Sequence, residues 1–349
     1  MTDSTSDDRP LTQARDLVPR LEDEGGDPEF VSTGRLPAPV AVQELVTAAY
    51  ERFRTHDAGE NSQVYPALAR ARRAAFGVCV VGTDGATYSA GDVETPFTIM
   101  SVAKPFVFAL VCQAIGDEAA RERLGVNATG LPFNALEAVE RSPDGRTNPM
   151  VNPGAIATTS LAPGETADAK WRTLNEGLSR FAGRPLELDL ETYASAAATN
   201  HRNRELAASL ERRGRLYCDA AAALDLYTRQ SCLAVTAKDL ATMGATLADG
   251  GVNPRTGERV VDQALCHRVL AVMMTAGLYE TSGDWLYDVG LPGKSGIGGG
   301  IVTIAPGKGG LGTFAPPLDD AGNSVKGQLV ARFLSQRLGL DLFASRPEA

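Results

Sequence analysis

Ser101-Val102-Ala103-Lys104 is the one S-x-x-K in a chain that holds only six lysines. On a helix, residues three apart share a face, so the hydroxyl and the amine can meet. Ile99, Val102, Phe106 and Val107 around them are apolar, and an amine kept from water gives up its proton more readily. A neutral lysine can then take the serine proton and leave an oxygen able to attack an acyl carbon. Composition alone supplies roughly 0.3 such pairs in a chain of this kind, so the motif does not decide by itself. A second element is Lys294-Ser295-Gly296, followed by Ile297 and then Gly298-Gly299-Gly300. On a strand opposite a serine helix, such a stretch can line an acyl-transfer site, and its glycines let backbone N–H groups approach a carbonyl. Its plainer reading is a glycine-rich strand entry with a bulge.

The elements that must hold these residues follow from the apolar pattern. Residues 40–53 have helical spacing and predict the first packed helix. Residues 76–92 read as a hairpin, with an apolar run, a Thr-Asp-Gly turn and a β-prone return. Residues 99–115 are nearly all apolar, which predicts a helix buried on most sides, with Pro105 tolerated near its start. The stretch 116–251 reads as helical. In it Thr236 and Asp239 have the form of a capping box, with Leu240, Met243 and Leu247 as the apolar face that follows. From Gly290 on, β-prone runs alternate with glycine and proline turns, as in antiparallel strands. A last helix takes Val325, Leu329, Phe333 and Leu334 as its apolar face.

This order predicts an α+β fold, an antiparallel sheet flanked by helices with a helical subdomain inserted, its strands drawn from both ends of the chain. The expected division is an acidic mobile tail over 1–30, a sheet subdomain over 31–115 and 256–349, and a helical subdomain over 116–255.

The 349 residues are 43% hydrophobic and 22% charged, enough for a large core without disulfide or metal staples. Of the net charge of −9, most lies in residues 1–30, which carry nine acids against three arginines. No basic stripe is present for a nucleic-acid backbone. Five scattered cysteines without a C-x-x-C pair read as reduced thiols, and three dispersed histidines lack zinc-site spacing. Neither a leader pattern nor a run of about 18 apolar residues occurs. The expectation is a soluble, cytoplasmic protein that acts on a small molecule, with neither nucleic acid nor membrane as partner.

Longer blocks carry a resemblance. FTIMSVAKPF surrounds the serine, with NPMVNPGAI at 148–156, ATNHRN at 198–203 and LDLYTRQSCLAVTAKDLA at 224–241. DGGVNP at 249–254, VGLPGKSGIGGGI at 289–301 and GNSVKG at 322–327 follow in order. Over about 41–343 the chain resembles the serine-dependent glutaminases, whose fold is similar to that of the β-lactamases and penicillin-binding proteins. The resemblance implies hydrolysis of the side-chain amide of L-glutamine to glutamate and ammonia through an acyl-enzyme. It also implies no metal or organic cofactor, and a homodimer or larger assembly. Residue by residue, it makes Ser101 the nucleophile, Lys104 its base and Tyr279 the hydroxyl that bonds to the serine and relays the proton to ammonia. The backbone N–H of Ile297, where valine is common, would form the oxyanion hole with that of Ser101. Asn152, Asn203 and Tyr227 match groups that hold the substrate.

Two positions depart from the family pattern. Val64, in Val64-Tyr65-Pro66, stands where the family has the tyrosine of Y-I-P. Ala196 stands where it has a glutamate, expected to pair with the substrate ammonium, a charge that needs a partner once out of water. Glu191 and Glu205 are the acids that could take its place. Two other readings therefore stand beside a glutaminase: an amidase for an N-modified glutamine, and a catalytically idle homologue that binds a metabolite. A β-lactamase or peptidase fits less well, because an S-D-N element is absent.

Overall fold

A computed structural model describes residues 34–344, and the tail expected over 1–30 lies outside them. The helices are α1 Pro39–Phe53, α2 Pro66–Ala69, α3 Ala103–Ile115, α4 Asp117–Arg123, α5 Glu137–Glu140, α6 Asn152–Ser160 and α7 Ala167–Ala182. They continue with α8 Leu190–Thr199, α9 His201–Arg212, α10 Ala220–Ser231, α11 Ala237–Ala248, α12 Gln263–Ala276, α13 Ser282–Val289 and α14 Val325–Leu338. The strands are β1 Gly77–Gly82, β2 Thr87–Gly91, β3 Phe97–Thr98, β4 Glu187–Leu188, β5 Leu233–Val235, β6 Gly293–Ser295, β7 Gly300–Ala305 and β8 Gly309–Phe314.

The larger sheet is antiparallel in the order β2-β1-β8-β7-β6. The expected hairpin forms, with Gly77 opposite Gly91, and β1 then pairs with β8 from the far end of the chain. Strands from both ends thus complete one sheet. One face buries Val42 and Val46 of α1 with Val330, Leu334 and Leu338 of α14. The other face is covered by α11, and the approach is close enough to exclude side chains. A Cβ on Gly310 would lie 2.3 Å from the Ala241 carbonyl oxygen, and one on Gly312 2.1 Å from that of Ala237. The Thr236–Asp239 capping box starts α11 as its sequence predicts, and Leu240, Met243 and Leu247 are buried.

Helix α11, from the 116–255 stretch, lies on the sheet, and α12, from 256–349, packs on α3 of the same expected sheet part. Two short strands, β4 and β5, interrupt the helical stretch and join β3 in a second sheet of order β3-β5-β4. At two and three residues they are too short for a period to show, and only distant partners make them strands. The face of α14 also differs from its expectation. Val325, Leu329 and Phe333 are only partly buried, while Val330, Ala331, Leu334 and Leu338 face the core. Gly327 turns the helix this way, because it lets α14 sit against Ile301 and Thr313 where a Cβ would come within 3.0 Å of both.

The five cysteines are unpaired, four of them buried. Among the described residues no single helix is long and apolar enough to cross a membrane.

Candidate active site

Ser101 sits on a single 3-10 turn, Met100–Val102, between β3 and α3. The second sheet fixes this turn: β3 pairs with β5, and the Ile99 N–H donates to the Leu233 carbonyl at 2.9 Å. Met100, one residue before the serine, has φ 49°, a left-handed conformation that a side chain takes up only at a cost. On the other side runs the turn from β6 to β7. A Cβ on Gly296 would lie 2.9 Å from the Ile99 carbonyl oxygen, and one on Gly298 2.5 Å from that of Thr98. These two glycines therefore allow the backbone around Ile297 to lie against the serine turn. Among the described residues, the N–H groups of Ser101 and Ile297 donate to no protein acceptor. Two free donors beside one hydroxyl suit an oxygen that gains charge as a nucleophile attacks.

Lys104 lies in the first turn of α3 and is fully buried. Its Nζ donates to Asn152 Oδ1 at 2.7 Å and to the Met150 carbonyl at 3.2 Å. Burial lowers its pKa to about 7. A neutral amine has two N–H donors and one lone pair, and these two oxygens use both donors. The lone pair is then left for a proton from its neighbour three residues back.

Asn152 begins α6 and joins the polar residues. Its Nδ2 donates to Asn203 Oδ1 at 2.9 Å, and its Oδ1 accepts from Tyr227 at 3.2 Å as well as from Lys104. Asn203 is on α9 and Tyr227 on α10, both buried. Sequence reading treated the three as separate substrate contacts, whereas in the fold they form one network that ends on the lysine. Burial also raises the Tyr227 hydroxyl well above its usual pKa, so it remains a donor.

Tyr279 has φ 57° and is buried beside the serine turn. Its hydroxyl donates to the Ser295 carbonyl at 3.1 Å. Burial raises its pKa, and hydrogen bonding with Ser101 works in the opposite direction. Lys294, the first residue of the stretch expected to line the site, lies 4.2 Å from the centre of the Tyr279 ring, its Nζ on the carbonyls of Gly277 at 2.7 Å and Ser295 at 2.8 Å. It supports the tyrosine from behind. Its burial, and the nearby Lys104, keep its pKa well below the usual lysine value.

Ser101, Asn152, Asn203, Tyr227 and Ile297 line one cleft with about 130 Å³ of free space, joined by Val64, Tyr65 and Ala196. Burial pushes the Tyr65 hydroxyl up to about 12. Sequence reading missed Phe133, Asn134, Asn200 and Arg202 in the lining. The last two stand inside the ATNHRN block, a signal that was available. The Phe133 ring lies 4.5 Å from that of Tyr279, tilted by 38°, and its carbonyl accepts the Asn152 N–H at 2.7 Å, but it comes from an irregular segment with no periodicity to mark it.

A family model described as Glutaminase matches residues 59–343. The chain belongs to the glutaminase family. It is 65% identical over 330 residues to "Glutaminase 2" of Yersinia pestis, covering 95% of this chain and 97% of that protein. To a "Glutaminase" of Brucella canis it is 46% identical over 307 residues, 87% of this chain and 97% of the relative. Among solved structures, a probable glutaminase, ybaS, has TM-score 0.87 and 42% identity over 88% of this chain and all of that one. The glutamate form of Mglu has TM-score 0.81 and 36% identity, over 87% of this chain and 70% of that chain. The fold, helices around an antiparallel sheet, is thus the β-lactamase-like one of this family of amidohydrolases.

Proposed function

We propose that this chain is a serine amidohydrolase that cleaves the side-chain amide of L-glutamine, or of a glutamine-derived amide, to the acid and ammonia. The observation that carries this reading is Ser101 set between two free backbone N–H groups and a buried amine of lowered pKa. Ser101 Oγ attacks the carboxamide carbon, its proton passes to Lys104 Nζ, and the carbonyl oxygen takes its charge onto the N–H groups of Ser101 and Ile297. The C–N bond then breaks as the proton, relayed through the Tyr279 hydroxyl, reaches the leaving nitrogen and ammonia departs. Water attacks the resulting ester, gives its proton to Lys104, and the released Ser101 oxygen takes it back. Asn152, Asn203 and Tyr227 hold the substrate. The sheet part, 31–115 with 256–349, supplies Ser101, Lys104, Tyr279 and Ile297, while the helical part, 116–255, supplies the substrate contacts. The proposal includes a cytoplasmic location, in keeping with five reduced thiols, and a homo-oligomer, in keeping with the family resemblance.

Ammonia release from free glutamine, N-acetylglutamine, γ-glutamyl amides and asparagine tests the reading. Hydrolysis of a glutamine-length amide is expected, and hydrolysis of none would leave the idle-homologue reading. Tyr279→Phe is expected to lower kcat by roughly 10²- to 10⁴-fold with little change in KM, the usual range for a lost proton-transfer group. An unchanged kcat would remove Tyr279 from the proton path.

A further inference from the structure

Among the described residues, the cleft around Ser101 has no carboxylate in its lining, and its only charged residue is Arg202. Ala196, which stands where an acid could face the substrate, is instead buried in an apolar cluster with Leu68, Met100 and Cys232. The acids nearby are engaged elsewhere. Glu191 pairs with Arg70, both exposed, and Glu205 pairs with Arg202 at 2.9 Å. Arg202 Nε donates to the Asn134 carbonyl at 3.0 Å and Nη1 to Glu205. Among the described residues its Nη2 donates to no protein acceptor. A substrate ammonium entering here would give up its water without gaining an anion, and it would share the cleft with a guanidinium.

We propose that the preferred substrate is a glutamine-length carboxamide with a carboxylate but no free ammonium, either N-acylated or without the nitrogen, and that Arg202 Nη2 takes the carboxylate. This rests on the amidohydrolase reading above. The remaining lining suits such a molecule: neutral amide and hydroxyl groups of Asn134, Asn200 and Tyr65 can bond an acyl or keto oxygen, and none of them needs a cation as partner.

The test compares kcat/KM for L-glutamine, N-acetyl-L-glutamine and glutaramate, which is glutamine without its amino group. One or both of the ammonium-free amides is expected to exceed L-glutamine by about tenfold or more. In a cleft that paired the ammonium, its removal would instead cost roughly 30-fold or more. A preference of that size for L-glutamine over both analogues overturns the proposal and leaves the amidohydrolase reading intact. Ammonia from none of the three overturns both. Arg202→Gln is expected to raise KM for glutaramate about tenfold at little changed kcat, while glutaramide, which has no carboxylate, is affected much less. Equal effects on the two would remove Arg202 from carboxylate binding. Ala196→Glu should shift preference toward L-glutamine, by about tenfold. If that variant does not fold, the wild-type comparison still decides.

Discussion

Ser101→Ala is expected to lose amide hydrolysis by roughly 10⁴- to 10⁶-fold in kcat, the scale seen when a nucleophile is removed from a site whose groups act as a unit. The reason is geometric. The left-handed backbone at Met100 and the glycines at 296 and 298 bring this one hydroxyl beside the free N–H groups of Ser101 and Ile297. The alanine variant should melt close to wild type, since the change deletes one oxygen from a turn held by backbone bonds to β5. A diazo-ketone analogue of glutamine, in free or N-acylated form, should attach to Ser101 in wild type and to nothing in the variant, as read by intact mass and peptide mapping. A variant that keeps the full rate would sink the acyl-enzyme.

Lys104→Arg is expected to lose activity by about 10³-fold or more. A guanidinium cannot release its proton near neutral pH, and here it would have to be buried as a cation. Lys104→Met separates the two causes, because it removes the base without burying a charge, and it should be as inactive. The pH profile carries the same argument with a sign. Burial lowers the Lys104 pKa to about 7, so the neutral base dominates above that pH and the ammonium below it. kcat/KM in wild type should therefore rise from acid, reach half its plateau near pH 7, and fall about tenfold for each further pH unit below. A rate that is flat from pH 5 to 9, or an active arginine variant, would rule out lysine as the base.

Features set within a few residues were legible in the sequence. The hairpin over 76–92, the capping box at Thr236 and Asp239, and the shared face of Ser101 and Lys104 all depend on contacts between near neighbours. Their geometry follows from helical or strand period; the hairpin and the capping box are present, and Ser101 and Lys104 lie on consecutive elements, a 3-10 turn and the first turn of α3. The family blocks also named Asn152, Asn203, Tyr227 and Tyr279 and the departures at Val64 and Ala196. What the sequence could not supply was how these residues meet. The Lys104–Asn152 bond spans 48 positions and the Asn152–Asn203 bond 51, and nothing in either local pattern points to the other.

The same limit explains the partly misread face of α14, where hydrophobicity marked Val325, Leu329, Phe333 and Leu334 and only Leu334 is buried. A glycine fit against Ile301 and Thr313 turned the helix so that another stripe is buried. It bears on Lys294 as well: its motif marked a stretch that can line an acyl-transfer site, and the carbonyls of Gly277 and Ser295 hold the lysine itself behind Tyr279. Residue types and short spacings therefore determined which groups are available for chemistry and which recognition positions lack their usual partners. Tertiary packing decided which N–H groups stay free, which lysine bonds to Asn152, and that Glu191 and Glu205 are paired with arginines rather than turned to the cleft. These outcomes depend on where distant backbones touch, and at Gly296, Gly298 and Gly327 that distance is set by the absence of a single carbon atom.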